Sequence, residues 1–169
     1  MFARLVSTVV ATAALLVGVS AAARAETYQI SLGEATAIIN FPDTWKVTEI
    51  KRDAQIISPD KEVYMWFEAY APDALEAPTR EPHSYFKKQK VTIGKPRSQE
   101  MVLGGAKTVA LDFPATYKGK KTIVQYLMID PALKNGARLL VSNWSSVEGN
   151  DKYDKVEEAM LTGIKFRKK

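Results

Sequence analysis

The chain contains no cysteine and only one histidine, His83, among its 169 residues. The lack of cysteine excludes disulfides, a thiol nucleophile, cysteine-ligated metals and a lipid-modified cysteine after export. A single histidine also leaves a histidine metal cage or a serine–histidine–aspartate relay without its usual set of residues. We therefore interpret His83 as a surface residue near the start of a helix.

Several sequence motifs of common enzymes are missing as well. The segment around Gly104-Gly105 lacks the Gly-x4-Gly-Lys-Ser/Thr pattern of a phosphate-binding loop, and no Rossmann fingerprint occurs, so we predict a hairpin turn at these glycines. No Gly-x-Ser-x-Gly elbow surrounds Ser142, Ser145 or Ser146. These serines are expected to be strand-edge and turn hydroxyls.

Neighbouring carboxylates occur at Glu157-Glu158 and at Asp151 with Asp154. On a helix these spacings are expected to place the side chains on the wet outer surface rather than across a cleft. The sequence therefore predicts no catalytic residue, no cofactor site and no metal site.

Residues 1–25 have the three parts of a secretory signal peptide. Arg4 gives a short positive start, an apolar run covers Leu5 to Val19, and Ala23-Arg24-Ala25 has the small-x-small form of a cleavage site. We predict cleavage before Glu26 and a periplasmic or secreted protein without stable membrane insertion. The alternative is an uncleaved anchor, because the apolar stretch approaches the length that spans a bilayer.

The charge gives little reason to expect a nucleic-acid partner. Lysine and arginine number 24 against 19 acidic residues, and loss of residues 1–25 would leave 22 basic residues. Phosphate binding requires a concentrated basic face. Three short basic clusters are present: Lys87, Lys88 and Lys90; Lys118, Lys120 and Lys121; Arg167, Lys168 and Lys169. Solvated charge is the default interpretation, and convergence of two clusters on an acidic partner or an anionic lipid surface is the alternative.

Residues 26–169 are predicted to form one domain, because short segments between Gly, Pro and Asp residues are typical of β-hairpins. The predicted strands are Tyr28–Leu32, Thr36–Phe41, Trp45–Ile50, Ala54–Ser58, Glu62–Tyr70, Lys107–Asp112, Lys121–Asp130 and Arg138–Ser145. An amphipathic helix is predicted from Asn150, as N-cap, to Gly163. A second, weaker helix is predicted from Glu81 to Val91.

Five segments in this order resemble the PsbP/Mog-like superfamily. They are NFPDTWKV (Asn40–Val47), KEVYMWFEAYAP (Lys61–Pro72), LGGAKTVALDF (Leu103–Phe113), YKGKKTIVQYLMI (Tyr117–Ile129) and LTGIKF (Leu161–Phe166). The resemblance implies an α+β fold, an antiparallel β-sheet flanked by helices in an α/β/α sandwich. Members include an extrinsic photosystem subunit, a binder of a small nuclear GTPase, bacterial envelope proteins and cytosolic chaperones for secreted toxins. The resemblance thus implies membership of a group whose known members mostly bind partners, although function varies so widely across the fold that the fold alone carries over almost no specific role.

The aromatic strand KEVYMWFEAYAP provides the most distinctive candidate site. Its period-two geometry places Tyr64, Trp66 and Tyr70 on one face. If this face is uncovered, the three side chains form a platform for a protein partner or an apolar ligand. The favoured interpretation is that a helix containing Tyr85 and Phe86 covers them as ordinary core.

Together these observations predict an exported, non-enzymatic protein-interaction or assembly module whose partner is an envelope protein. The alternative is a carrier that holds a small apolar ligand in a cavity between sheet and helices near Trp66. An enzyme of an unrecognised type would require a cluster of buried carboxylates with shifted pKa values.

Overall fold

A computed structural model describes residues 26–50, 53–71 and 84–169. The predicted signal peptide and His83 lie outside these residues, so both stay predictions. The described strands are β1 (Glu26–Ser31), β2 (Ala35–Phe41), β3 (Lys46–Ile50), β4 (Asp53–Ile57), β5 (Val63–Tyr70), β6 (Val91–Ile93), β7 (Arg97–Leu103), β8 (Ala106–Tyr117), β9 (Lys120–Asp130), β10 (Arg138–Ser146) and β11 (Lys165–Lys168). The described helices are α1, residues 84–88, and α2, Val147–Thr162.

These strands form two antiparallel sheets. The small sheet has the order β1-β2-β11, and the large sheet has the order β3-β4-β5-β10-β9-β8-β6, with β7 also paired to β8. Strands β8, β9 and β10 are long neighbours in the middle of the large sheet. Strand β2 pairs with β1 on one side and with the C-terminal strand β11 on the other, so the two ends of the described chain meet in the small sheet.

The predicted fold class, an antiparallel β-sheet flanked by helices in an α/β/α sandwich, is wrong. One face of the large sheet is covered by the small sheet together with α2, and the described helix on the other face is the short α1. The physical reason lies in β2, whose alternating residues are buried. Such a strand needs an apolar surface opposite it, and packing sheet on sheet supplies that surface.

The first hydrophobic core lies between the two sheets. Phe41 of β2 and Phe67 of β5 are fully buried, and their ring centroids are 5.1 Å apart. From the large sheet, Met65 and Val141 are also fully buried in this core. Helix α2 closes one side of it with Met160, which is 4% exposed. Burial of these side chains stabilises the contact between the sheets by roughly 1.5–3 kcal/mol each.

The second hydrophobic core lies on the opposite face of the large sheet. Along β9, Leu127 and Ile129 point into the first core, whereas Val124 and Tyr126 point into the second. All four side chains are at most 3% exposed. Both faces of β9 are therefore covered, as expected for a strand with apolar residues on both parities.

Helix α2 begins one turn earlier than the sequence predicts. Its N-cap is Ser146 rather than Asn150, and the Ser146 hydroxyl accepts a hydrogen bond of 2.8 Å from the backbone N–H of Gly149. This bond satisfies one of the amide groups that a helix start leaves without an intrahelical partner. Gly163 follows the helix as predicted, but its φ of −78° is not the left-handed conformation of a C′ glycine.

The predicted turn at Gly104-Gly105 is confirmed. Leu103 of β7 pairs with Ala106 of β8, so the two glycines form the whole loop of a tight hairpin. Both have positive φ, 56° at Gly104 and 78° at Gly105, as a two-residue hairpin turn requires. A Cβ atom at Gly104 would collide with the backbone carbonyl of Ile164, whereas one at Gly105 would meet nothing within 4 Å.

We expect Gly104→Ala to lower the free energy of unfolding more than Gly105→Ala. Both substitutions cost about 1–2 kcal/mol because an L-residue adopts a left-handed conformation. Only Gly104→Ala also forces the backbone near Ile164 to move, which should add about 1–3 kcal/mol. Urea unfolding of the two variants measures the difference, and equal losses would contradict the close approach at Gly104.

Candidate functional site

Helix α1 lies on the middle of the aromatic face of the large sheet. Phe86 of α1 is fully buried, and its ring centroid is 6.2 Å from Trp66, 5.8 Å from Trp144 and 6.4 Å from Tyr126. The neighbouring Tyr85 is 37% exposed and meets Trp66 edge to face at 5.5 Å. Edge-to-face and stacked aromatic pairs of this kind stabilise a core beyond their buried area.

The three residues predicted to form the platform share one face of β5 but not one surface. Tyr64 is half-buried and lines a groove at one end of the strand. Trp66 is half-buried beneath α1. Tyr70 is 7% exposed and lines a smaller cleft of about 600 Å³ at the other end, next to the Arg138–Asp130 ion pair of 3.0 Å. Because α1 lies between the ends of the strand, Tyr64 is separated from Tyr70.

The groove beside Tyr64 has a volume of about 1110 Å³ and opens to solvent. It lies between the turn that connects β4 and β5, the turn that connects β8 and β9, and the start of α2. Its lining residues are Asp60, Lys61, Glu62, Tyr64, Tyr117, Lys118, Lys120, Lys121, Thr122, Trp144, Ser145, Ser146, Val147, Glu148, Gly149 and Lys152. We call this site the aromatic groove.

Three half-buried aromatic side chains form the floor of the aromatic groove. Tyr64 and Trp144 stack with ring centroids 5.6 Å apart and an interplanar angle of 28°. Tyr117 meets Trp144 edge to face, at 5.2 Å and 90°. The Trp144 indole N–H donates a 3.0 Å hydrogen bond to the Thr122 hydroxyl, which itself donates to the Ser145 carbonyl at 2.6 Å. These bonds hold the Trp144 ring in one orientation.

One wall of the groove is a network around Asp60. The Lys152 ammonium lies 2.6 Å from the Asp60 carboxylate, and the Tyr153 hydroxyl donates to the same oxygen at 3.0 Å. The Ser58 hydroxyl donates to the other oxygen at 2.8 Å. The lysine, more than the other donors, holds the pKa of Asp60 well below its usual range. The network connects the β4–β5 turn to α2, although its exposed ion pair is expected to add little stability.

The opposite wall is formed by three exposed lysines at the β8–β9 turn. The Lys118 ammonium lies 4.9 Å from the centroid of the Tyr117 ring, the geometry of a cation–π contact. Lys120 and Lys121 follow on β9 and line the same groove. Within the described part of the chain, none of the three forms an ion pair. This wall therefore presents unneutralised positive charge to the groove.

The structure buries one carboxylate that the sequence places on the wet face of a helix. Glu157 of α2 is 7% exposed, and the Asn143 side-chain amide donates a 2.9 Å hydrogen bond to it. Burial, assisted by the charge of Asp154 and opposed by the Asn143 hydrogen bond, raises the pKa of Glu157 to about 7. The prediction is wrong because α2 packs on β10 with Glu157 turned toward Asn143. Glu157 lines neither the aromatic groove nor the cleft at Tyr70.

Two groove residues were not recognised as site residues in the sequence. The sequence predicts that Trp144 is an ordinary core aromatic, because its neighbours in the sequence do not show that it lies at the open end of the sheet. Tyr117 lies beyond the predicted end of its strand at Asp112, whereas β8 continues to Tyr117 and pairs it with Lys120. The dipeptide Lys118-Gly119 was the available signal in the sequence. It forms a tight turn with positive φ at both positions, and such a turn pairs the residues on either side of it, Tyr117 and Lys120.

No group of three or more histidine, aspartate or glutamate side chains is placed to hold a metal ion in the part of the chain that the structure describes. In the same residues, no helix has the length and apolar character needed to cross a membrane.

Comparison with known proteins relates the chain to solved structures rather than to sequences. No family model and no curated protein matches it. It is similar to cyanobacterial PsbP (CyanoP) from Synechocystis, with a TM-score of 0.56 and 9% identity, over 90% of this chain and 96% of CyanoP. It is similar to LpqN of Mycobacterium tuberculosis, described as involved in cell envelope biogenesis, with a TM-score of 0.58 and 12% identity, over 84% of this chain and 91% of LpqN. A structure from Bacteroides thetaiotaomicron matches with a TM-score of 0.55 and 11% identity, over 86% of this chain and 49% of that one.

These similarities show the fold. At such low identity, a shared fold does not carry over a function. The PsbP-like fold that the sequence resemblance implies is confirmed. The Mog-like part of that resemblance finds no support among these structures.

The pKa of Glu157 predicts how stability should depend on pH. In the unfolded chain the pKa of Glu157 is near 4.5, so the folded protein binds the Glu157 proton more tightly. The free energy of unfolding therefore falls as pH rises toward 7. Replacing Glu157 by glutamine removes this loss. Relative to the wild type, Glu157→Gln should therefore gain on the order of 3 kcal/mol between about pH 4 and about pH 8.

Urea unfolding across this pH range measures the effect, and Glu158→Gln on the exposed side of α2 is the matched control. The control should follow the wild-type pH dependence. A Glu157→Gln variant that also follows it would show that the Glu157 carboxyl titrates normally in the folded protein.

Proposed function

We propose that the protein is an exported, non-enzymatic interaction module that binds an envelope protein in the aromatic groove. The observation that carries this proposal is the floor of Tyr64, Tyr117 and Trp144, three half-buried rings that open to solvent. Aromatic side chains held rigidly in a recess are the residues that most often anchor a protein partner. The hydrogen bond from Trp144 to Thr122 keeps the floor preorganised, which reduces the entropy lost on binding.

The open shape of the aromatic groove favours a chain segment over a small ligand. Pockets for small molecules usually measure about 300–1,000 Å³ and bury most of the ligand surface. The aromatic groove, at about 1110 Å³, lies close to the upper end of this range, but it is open to solvent and does not enclose its contents. A peptide segment can cover such a surface along its length, whereas a small apolar molecule would stay largely exposed.

The small-ligand carrier is not favoured by the packing near Trp66. The cavity that this alternative requires would lie between Trp66 and α1, where Phe86 is fully buried. The Phe86 ring lies against Trp66, Tyr126 and Trp144 at centroid distances of 6.2, 6.4 and 5.8 Å. Side chains of the protein therefore occupy the space that a bound ligand would need.

The similar structures support the proposed class of function by analogy. LpqN is described as involved in cell envelope biogenesis, and CyanoP is a cyanobacterial PsbP. The predicted signal peptide at residues 1–25 is consistent with an envelope location.

The carboxylate with the most strongly raised pKa, Glu157, is a buried residue of α2 and does not line the aromatic groove.

Site-specific photocrosslinking in cells tests the proposal. A photoreactive amino acid at Glu148, which is exposed and lines the groove, should yield one discrete adduct with an envelope protein. The same amino acid at Glu158, an exposed position further along α2, is the matched control and should yield none. Tyr117→Ala should weaken the Glu148 adduct at least several-fold because it removes part of the aromatic floor.

Thermal unfolding of each variant verifies that it is folded before the adducts are compared. Equal adducts from Glu148 and Glu158, or no adduct from either position in the folded protein, would exclude the groove as the binding site.

A further inference from the structure

We infer that the partner of the aromatic groove is an acidic, extended peptide segment that carries an apolar or aromatic side chain. This inference rests on the proposed function, since it names the partner of the same groove. Its basis is the position of unneutralised lysines on one wall beside an aromatic floor.

The charges that line the aromatic groove are unequally distributed. Lys152 and Asp60 neutralise each other in the 2.6 Å ion pair on the α2 side. On the side of the β8–β9 turn, the charged lining residues are all lysines: Lys118, Lys120 and Lys121. Clusters of one sign on one wall attract a ligand of the opposite sign and fix its orientation. A segment with carboxylates along one edge matches this wall.

The local backbone holds the basic wall in place. Lys118 and Gly119 form a two-residue turn with φ values of 50° and 77°, between the paired residues Tyr117 and Lys120. The contact of the Lys118 ammonium with the Tyr117 ring at 4.9 Å connects the wall to the aromatic floor. A carboxylate bound at Lys118 would therefore lie next to an apolar side chain stacked on the floor. A ligand that fits this site therefore carries a carboxylate and an apolar side chain next to each other.

The other wall distinguishes a peptide from an anionic lipid surface. Apart from the paired Asp60 and Lys152, the wall opposite the three lysines carries Glu62, Glu148 and Lys61, which are all exposed and leave it with a net negative charge. A lipid surface would contact both rims at once, so these two carboxylates would repel its headgroups. A single extended chain can lie against the lysine wall and still place a side chain on Tyr64 and Trp144. The charge pattern thus favours a peptide.

Calorimetric titration of the full chain with two synthetic peptides tests the inference. The probe is a short glutamate peptide with one central phenylalanine, and its counterpart replaces every glutamate by glutamine. We expect saturable binding of the glutamate peptide alone. The triple variant Lys118→Gln, Lys120→Gln and Lys121→Gln should weaken binding about tenfold, because three exposed charge pairs are lost. Raising the salt concentration should weaken binding of the glutamate peptide by the wild type by a similar factor, about tenfold.

A second lysine triple provides the matched control. Lys87→Gln, Lys88→Gln and Lys90→Gln change the net charge by the same amount, at exposed positions that do not line the groove. Lys90 has a φ of 62°, close to the 50° of Lys118, so each triple also alters one left-handed lysine. This control should bind the glutamate peptide as the wild type does. If both triple variants bind the glutamate peptide equally weakly, the effect comes from net charge alone, and the inference is overturned.

Two further outcomes would overturn the inference. In the first, folded wild-type protein binds the glutamate and glutamine peptides equally well, or it binds neither of them. The other is binding of phosphatidylglycerol vesicles in place of the peptide, lost in the groove triple alone. The crosslinking experiment distinguishes the two proposals. A Glu148 adduct that persists in the groove triple would leave the proposed function standing without the acidic partner, whereas the absence of any adduct would remove both.

Discussion

The pairing of β10 with β5 on one side and β9 on the other is the interaction on which the rest of the structure depends. It joins β10 to β5, from a distant part of the sequence, and to β9, the strand before it, along nearly the whole length of β10. Consecutive residues of β10, from Leu139 to Asn143, are buried, so both faces of this central strand need cover. The small sheet and α2 cover one face, and α1 with its aromatic neighbours covers the other.

The aromatic groove is a consequence of where β10 ends. Ser146 is both the last residue of the strand and the N-cap of α2, so the strand ends two residues after Trp144 and the helix packs on the opposite face of the sheet. Among the described residues, α1 contacts Trp144 through Tyr85 and Phe86, and the Trp144 ring also lines the aromatic groove beside Tyr64 and Tyr117. Trp144 is therefore held between a covered core and an open recess, and the groove combines rigidity with access to solvent.

Much of the β-structure could be predicted from local pattern. The hairpins around Gly33, around Asp60 and at Gly104-Gly105 follow from turn residues between apolar segments, and each is present. Three strands could not be predicted: β6, β7 and β11 are short or polar, and partner strands rather than their own sequences stabilise them. The sandwich flanked by helices was wrong for a related reason, because only the tertiary structure shows that β11 joins β1 and β2 to form a covering sheet.

By itself, the sequence determined which residues are strand formers, where tight turns fall and that Tyr64, Trp66 and Tyr70 share one face of a strand. These properties depend on backbone geometry over a few residues, so they can be deduced locally. Only the tertiary structure decided that α1 separates Tyr64 from Tyr70, that Glu157 is buried beside Asn143 and that Lys118 lies across a groove from Asp60. The physical reason is that burial and charge juxtaposition depend on which distant surfaces meet, and side-chain packing between sheets, rather than local propensity, selects that arrangement.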